Sequence, residues 1–327
     1  MVICPININS NFHIQALSQI WRACFTEDQS YIDSFINNCL PYTNSWFLLH
    51  KDKPVSLLSL LPSYALLPKS MIFPDPLSQD RSDKPSLSIP GISQNPLSNN
   101  LSRGTAFSNN FIELSGAYIY GVATLPEHRG NSYSRTLLNK AIAYSAEMGF
   151  DYIVVKPADE SLFEFYRRAG FDTTLYSNRY SINILSSKEG ASHFTPLYPD
   201  RLFILREQYN SASLLWPPEI LNYAVAEALS RPNAVAVVKN TLYLIAYPSE
   251  TDKKIVHLLE SNAETDIQFR QVLSFLQDCY PYATTVSIDC ANKTRSQQRN
   301  SALLKSLNSN LNITEALSRL YLSLPME

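Results

Sequence analysis

Val122-Ala-Thr-Leu-Pro126-Glu-His-Arg129-Gly130-Asn-Ser132-Tyr-Ser134 is the stretch on which the reading of this chain turns. The residues from Ala117 predict a strand, and Pro126 stops it. Glu127 to Asn131 is a short basic loop. From Ser132 to Met148, Leu137, Leu138, Ala141, Ile142 and Ala146 fall on one helical face, and Gly149 stands where a helix end takes glycine. A helix start offers backbone N–H groups and a partial positive charge to an anion, and Arg129 adds a forked donor. A strand ending at such a loop can also present backbone groups to an extended amide. Any β-loop-α connection with an incidental arginine gives the same pattern.

A ligand with amides along its arm and a pyrophosphate at its end suits both features, and coenzyme A is one. Glycine usage points to the same region. The chain has only 8 glycines, and those at 116, 121, 130, 149 and 170 fall within 55 consecutive residues. None follows Gly190, so backbone needing sharp turns or close approach is concentrated here.

Outward from this core, Val2–Ile8 reads as a strand. Leu17, Ile20, Trp21 and Cys24 mark one helix face, and Tyr31, Ile32, Phe35, Ile36 and Leu40 the next. Ser45–His50 and Val55–Leu61 form a predicted hairpin. Residues 69–110 hold nine Ser, five Pro and five Asn without apolar periodicity, which predicts a flexible insertion, read either as an active-site flap or as a tolerated loop. Downstream, Asp151–Lys156 is a predicted strand, Asp159–Ala169 a helix and Asn178–Leu185 a strand.

With Phe165-Tyr166-Arg-Arg-Ala-Gly170-Phe171 following the loop and helix, residues 115–172 resemble the GCN5-related N-acetyltransferase (GNAT) superfamily, and 1–185 resemble it in element order. The family's loop reads Arg/Gln-x-x-Gly-x-Gly/Ala; here Ser132 and Ser134 replace both glycines. The resemblance implies acetyl-CoA as acyl donor, with no metal. Val122, Ala123 and Thr124 would contact pantetheine through their backbone; Arg129, Gly130, Asn131, Ser132, Tyr133 and Ser134 would cradle the pyrophosphate. Tyr166 would protonate the leaving thiolate. Glu27, Asp28, Glu113, Tyr118 and Tyr120 are candidates for the acceptor site, each with a plain surface or core role as the alternative. Some acetyltransferases with an added C-terminal domain use the terminal carboxylate as base, which here would be Glu327, with a disordered tail as the alternative.

After Gly190 a similar order of elements returns, with Ser301–Asn308 read as a helix and Ser318–Leu324 as the last strand. The expected fold is α/β (α+β): two tandem acyl-CoA N-acyltransferase-like domains, 1–187 and 188–327, each a mixed, mostly antiparallel sheet flanked by helices. At the second half's equivalent loop stand Glu260, Glu264 and Asp266, which would repel a pyrophosphate, so this half is expected to be degenerate.

A net charge of -2 argues against a general nucleic-acid binder. Five dispersed cysteines without a C-x-x-C pair and five dispersed histidines suggest neither a disulfide framework nor a zinc site. No signal peptide or membrane span is evident, so a cytoplasmic enzyme is expected. The expected function is direct acyl transfer to a small-molecule or peptide amine in a ternary complex. The rivals are a non-catalytic acyl-CoA-binding scaffold and an aminoacyl-tRNA-dependent transferase.

Overall fold

A computed structural model describes residues 1–25, 27–72, 110–184, 193–209, 213–291, 298–318 and 320–322. The first half runs β1 (Val2–Pro5), α1 (Asn11–Cys24), α2 (Gln29–Asn38), β2 (Asn44–His50), β3 (Lys53–Pro68), α3 (Lys69–Ile72), β4 (Phe111–Thr124), α4 (Tyr133–Glu147), β5 (Tyr152–Val155), α5 (Leu162–Arg167) and β6 (Thr173–Asn183). The second runs β7 (Thr195–Pro196), α6 (Pro199–Tyr209), β8 (Ser213–Leu215), α7 (Pro218–Ser230), β9 (Val235–Lys239), β10 (Leu242–Pro248), β11 (Ile255–Ser261), α8 (Asp266–Cys279), β12 (Thr285–Ala291), β13 (Gln298–Ser306), α9 (Leu311–Leu317) and β14 (Tyr321–Leu322). This is the expected mixed α/β architecture.

Several boundaries differ from expectation. Ser301–Asn308 is not a helix: most of it is β13. Residues 69–72 of the expected insertion are helical, and Ile72 is fully buried; the rest, 73–109, lies outside the described residues, as does Glu327. β3 continues seven residues past Leu61, through Pro62. β2 covers β3 up to Leu60 and β8 covers Tyr64 and Ala65. Pro62 falls between them, where β3 has only β4 beside it, so a residue without N–H forfeits no ladder bond there. β4 begins at Phe111, which places Glu113 inside the strand rather than before it.

The strand order is β1-β2-β3-β4-β5-β13-β6-β12-β11-β10-β9-β7. Two pairs are parallel in this path, β4 with β5 and β11 with β12, each joined by a helix, α4 in one half and α8 in the other. The halves interlock. β13, from the far end of the sequence, lies between β5 and β6 and pairs antiparallel with both. β6, from the first half, pairs in turn with β12. Ala302, Leu303 and Leu304 of β13 are fully buried, as a strand covered on both faces requires.

Helices cover both faces of the sheet. Leu17, Ile20 and Trp21 of α1, Ile32 and Phe35 of α2, and Tyr223 of α7 share one apolar cluster with Tyr118 and Tyr120 of β4. On the opposite face, Leu137 and Leu138 of α4 and Phe163 and Tyr166 of α5 pack on Ala117 and Ile119. Alternation along β4 therefore directs its even-numbered tyrosines to the α1/α2 side and its odd-numbered residues to the α4/α5 side.

Candidate active site

β4 and β5 are paired only from Gly116 with Tyr152 to Ile119 with Val155. Beyond that they part. On its other edge β4 carries a bulge: Tyr120 faces Ser59 and Ala123 faces Leu57, so Gly121 and Val122 together stand opposite the single residue Leu58 of β3. Gly121 has φ +60, and a Cβ there would meet Trp21 at 3.3 Å, so the bulge needs glycine for conformation and space alike.

A cavity of about 470 Å³ occupies the gap. Its walls come from both faces of the sheet: Trp21, Phe25, Glu27, Tyr31, Tyr118 and Tyr120 on one side, Ile119, Val155, Leu162 and Tyr166 on the other, with Gly121, Val122 and Lys156 among the remaining contributors. The structure thus brings together Tyr166, Val122, Glu27, Tyr118 and Tyr120 of the sequence candidates. The donor-loop candidates Ala123, Thr124 and Arg129 to Ser134 are not part of this wall, and two of the acceptor candidates also stand elsewhere. Asp28 is the N-cap of α2, accepting from the Tyr31 N–H at 2.9 Å and the Ser30 hydroxyl at 2.7 Å; these bonds hold its carboxyl below the usual range. Glu113 is exposed on β4 and is not part of the cavity wall.

Tyr166 is 5% exposed, its ring edge-on to Phe165 at 5.0 Å and to Phe171 at 6.0 Å. Burial raises its phenol above the ordinary value, so it keeps its proton. Gly170 has φ +90 and is followed by Phe171, whose N–H bonds back to the Tyr166 carbonyl; this turn fixes α5 against the sheet.

At the other end of the bulge, the Thr124 carbonyl accepts from Arg129 Nε at 3.2 Å and from Cys24 Sγ at 3.3 Å. Gly130 has φ +80 with open space where a Cβ would stand. Ser132, at φ 59, occupies the left-handed conformation that favours glycine, and it makes no side-chain cap to α4. Ser134 acts differently. Its hydroxyl lies 2.7 Å from Thr124 Oγ1, which is 2.7 Å from Ser56 Oγ. These hydroxyls tie the first turn of α4 to β4 and β3. Asn131 Nδ2 donates to the His128 carbonyl at 3.0 Å. Tyr133 is buried, its hydroxyl 2.9 Å from His50 Nδ1.

The second half departs from the electrostatic expectation. Glu260 does not face a phosphate site: it is 6% exposed, receives Arg206 Nε at 2.9 Å and the Tyr243 hydroxyl at 2.6 Å. At the start of α8, Thr265 and Gln268 form a reciprocal capping box. The donors that α4 leaves without a side-chain cap are thus met internally at α8. Among the described residues no His/Cys/Asp/Glu group could hold a metal ion, and no helix is long and apolar enough to cross a membrane.

Trp21, Phe25, Tyr31 and Lys156 were not among the sequence candidates. The first and third were visible only as members of apolar helix faces, and nothing in the sequence distinguished them from core.

Known proteins agree with this geometry. The acetyltransferase (GNAT) family model matches residues 102–171. A protein from Enterococcus faecalis named as a probable N-acyltransferase superposes with a TM-score of 0.66 at 13% identity, covering 94% of this chain and 72% of that one. Eis1 from Mycobacterium abscessus gives a TM-score of 0.63 at 13% identity, covering 94% and 74%. A GCN5-related N-acetyltransferase from Anabaena variabilis gives 0.63 at 14%, covering 98% and 75%. No curated protein matches by sequence. Residues 102–171 thus match the acetyltransferase (GNAT) family model, and the fold of the chain is like that of these solved structures.

Proposed function

We propose that the protein transfers an acyl group, acetyl by default, from acyl-CoA directly to an amine held in the same cavity. The observation that carries this reading is the cavity itself, which passes through the gap between β4 and β5 and has Tyr166 on its wall. Thioester arm and acceptor can therefore approach one carbon from opposite faces of the sheet.

The residues present fit the donor. Val122, in the bulge, offers backbone to the pantetheine amides. Gly130 leaves the loop open, the α4 start has no side-chain cap, and Arg129 stands beside it, a combination suited to a pyrophosphate. In this reading Ala123, Asn131, Ser132, Tyr133 and Ser134 hold the loop in shape. The amine nitrogen bonds to the acyl carbon, the C–S bond breaks, and Tyr166 gives its proton to the departing sulfur. The proton lost by the amine leaves the site to solvent or a carboxylate, and the phenolate regains one. In the same reading, residues 1–187 and 188–327 are two repeats of one fold that share strands.

Calorimetry of CoA with the full chain tests the placement. Arg129→Ala is expected to weaken binding by roughly 1.5–3 kcal/mol, the scale of a charge-assisted bond. Unchanged affinity removes the pyrophosphate from this loop, and binding without transfer to any amine favours a non-catalytic acyl-CoA-binding protein.

A further inference from the structure

The α1/α2 side of the cavity has a chemistry that general acyl transfer does not require. Glu27 lines it, and one of its carboxylate oxygens, Oε2, is buried with no hydrogen-bond partner among the described residues. A buried oxygen of this kind is costly unless something donates to it. Its surroundings narrow what that donor is. Trp21, Phe25, Tyr31, Tyr118 and Tyr120 line the same side. Trp21 is the hub, edge-on to Phe25 at 6.3 Å, to Tyr31 at 6.3 Å and to Tyr120 at 6.1 Å. Rings in this arrangement offer apolar area and electron-rich faces, which attract a cation.

The layer behind adds negative potential. The Tyr31 and Tyr120 hydroxyls bond to each other, and Glu227 of α7, 9% exposed, lies close enough to act on both. Burial first, and then the Glu227 charge, push the Tyr31 phenol up to about 12, so these hydroxyls remain neutral. Tyr223 of α7 packs edge-on against Phe35 of α2 at 5.9 Å. The second half of the chain thus closes this end of the cavity and brings a carboxyl group to it.

We propose that the acceptor is a small monocationic primary amine on an apolar, ring-sized body, an arylalkylamine by class, whose ammonium is received by Glu27 among the rings of Trp21, Phe25, Tyr31 and Tyr120. The cavity volume of about 470 Å³ must also admit the thioester end, which favours a compact acceptor. The inference rests on the acyl-transfer reading for its meaning, but its first test does not depend on it.

That test is direct binding to the full chain without CoA, by calorimetry, using 2-phenylethylamine and its uncharged counterpart 2-phenylethanol. The amine is expected to bind at least tenfold more tightly. Glu27→Gln is expected to weaken the amine at least tenfold and to leave the alcohol within threefold, which also shows that the variant is folded. Equal binding of amine and alcohol, or an amine affinity within threefold of wild type in Glu27→Gln, overturns the proposal. The second test is acetyl transfer from acetyl-CoA: 2-phenylethylamine is expected to exceed glycine and spermidine at least tenfold in kcat/KM. Preference for glycine or spermidine overturns the proposal while leaving acyl transfer standing. Failure to bind CoA overturns the acyl-transfer reading and leaves the amine-binding result to be judged by itself.

Discussion

Replacing Tyr166 by Phe removes one oxygen from a side chain that is 5% exposed and changes nothing else about the ring. The edge contacts with Phe165 and Phe171 are made by the aromatic ring and survive. Stability is expected to move by less than about 1 kcal/mol, the scale of a single hydroxyl contribution. Turnover is expected to behave differently. If the phenol protonates the leaving sulfur, its loss removes a general acid worth roughly 10²–10⁴ in rate, or about 2.7–5.5 kcal/mol of barrier. Because burial raises the phenol's pKa, the acid is present at neutral pH and stays so as pH rises. Wild-type transfer is therefore expected not to decline between roughly pH 8 and 10 through Tyr166. The assay is release of free CoA thiol with acetyl-CoA and a fixed amine, alongside CoA affinity by calorimetry. Turnover reduced by roughly two orders of magnitude or more, with affinity within twofold, supports the role. Turnover within threefold of wild type refutes it, and Tyr166 is then a core residue whose hydroxyl has no part in the chemistry.

Arg206→Met should destabilise the chain by about 3–5 kcal/mol in urea unfolding, because it leaves the Glu260 carboxylate buried without its guanidinium partner at 2.9 Å. Gly116→Ala should cost roughly 1–3 kcal/mol, read as a lower melting temperature, since its Cβ would lie 2.2 Å from the fully buried Tyr152 ring. Titration with CoA should saturate at one per chain, because the α8 start is closed by its own capping box while the α4 start has no such cap; a ratio of two contradicts this. Replacing 75–105 by a short linker should leave the melting temperature within a few degrees, because Pro68 already pairs with Phe111 and the Lys69 N–H bonds the Asn110 carbonyl at 2.8 Å.

The elements that read correctly in sequence are those with one wet face. α1 and α2 show their stripe because only Ala16, Leu17, Ile20, Trp21 and then Ile32 and Phe35 turn fully inward. β13 misled for the opposite reason: Ala302, Leu303 and Leu304 are all buried, which erases the alternation that marks a strand, and the run Leu-Leu-x-x-Leu passes for a helix stripe. In the site, the loop from Val122 to Ser134 was legible because its chemistry is contiguous in the chain. The separate roles of its serines were not: a sequence does not tell that Ser132 takes φ 59 while Ser134 reaches back to Thr124. The acceptor end was least legible, since Glu27, Tyr120 and Glu227 stand far apart in the chain and come near Tyr31 only in the folded protein.

The interlocked strands also set an order of events for a chain made from its N-terminus. β5 pairs with β4 early, yet its other edge waits for Leu303 and Leu304, which are to lie against Val155 and Val154. Until then a short, fully apolar strand at the floor of the cavity has an open edge, which is a template for unwanted pairing. Contacts so distant in sequence form slowly. Activity should therefore appear in one late step during synthesis rather than once the residues of the first half have emerged. A chain truncated between Phe171 and Gln298 carries every residue assigned to the donor loop and still lacks the strand that holds β5 in place.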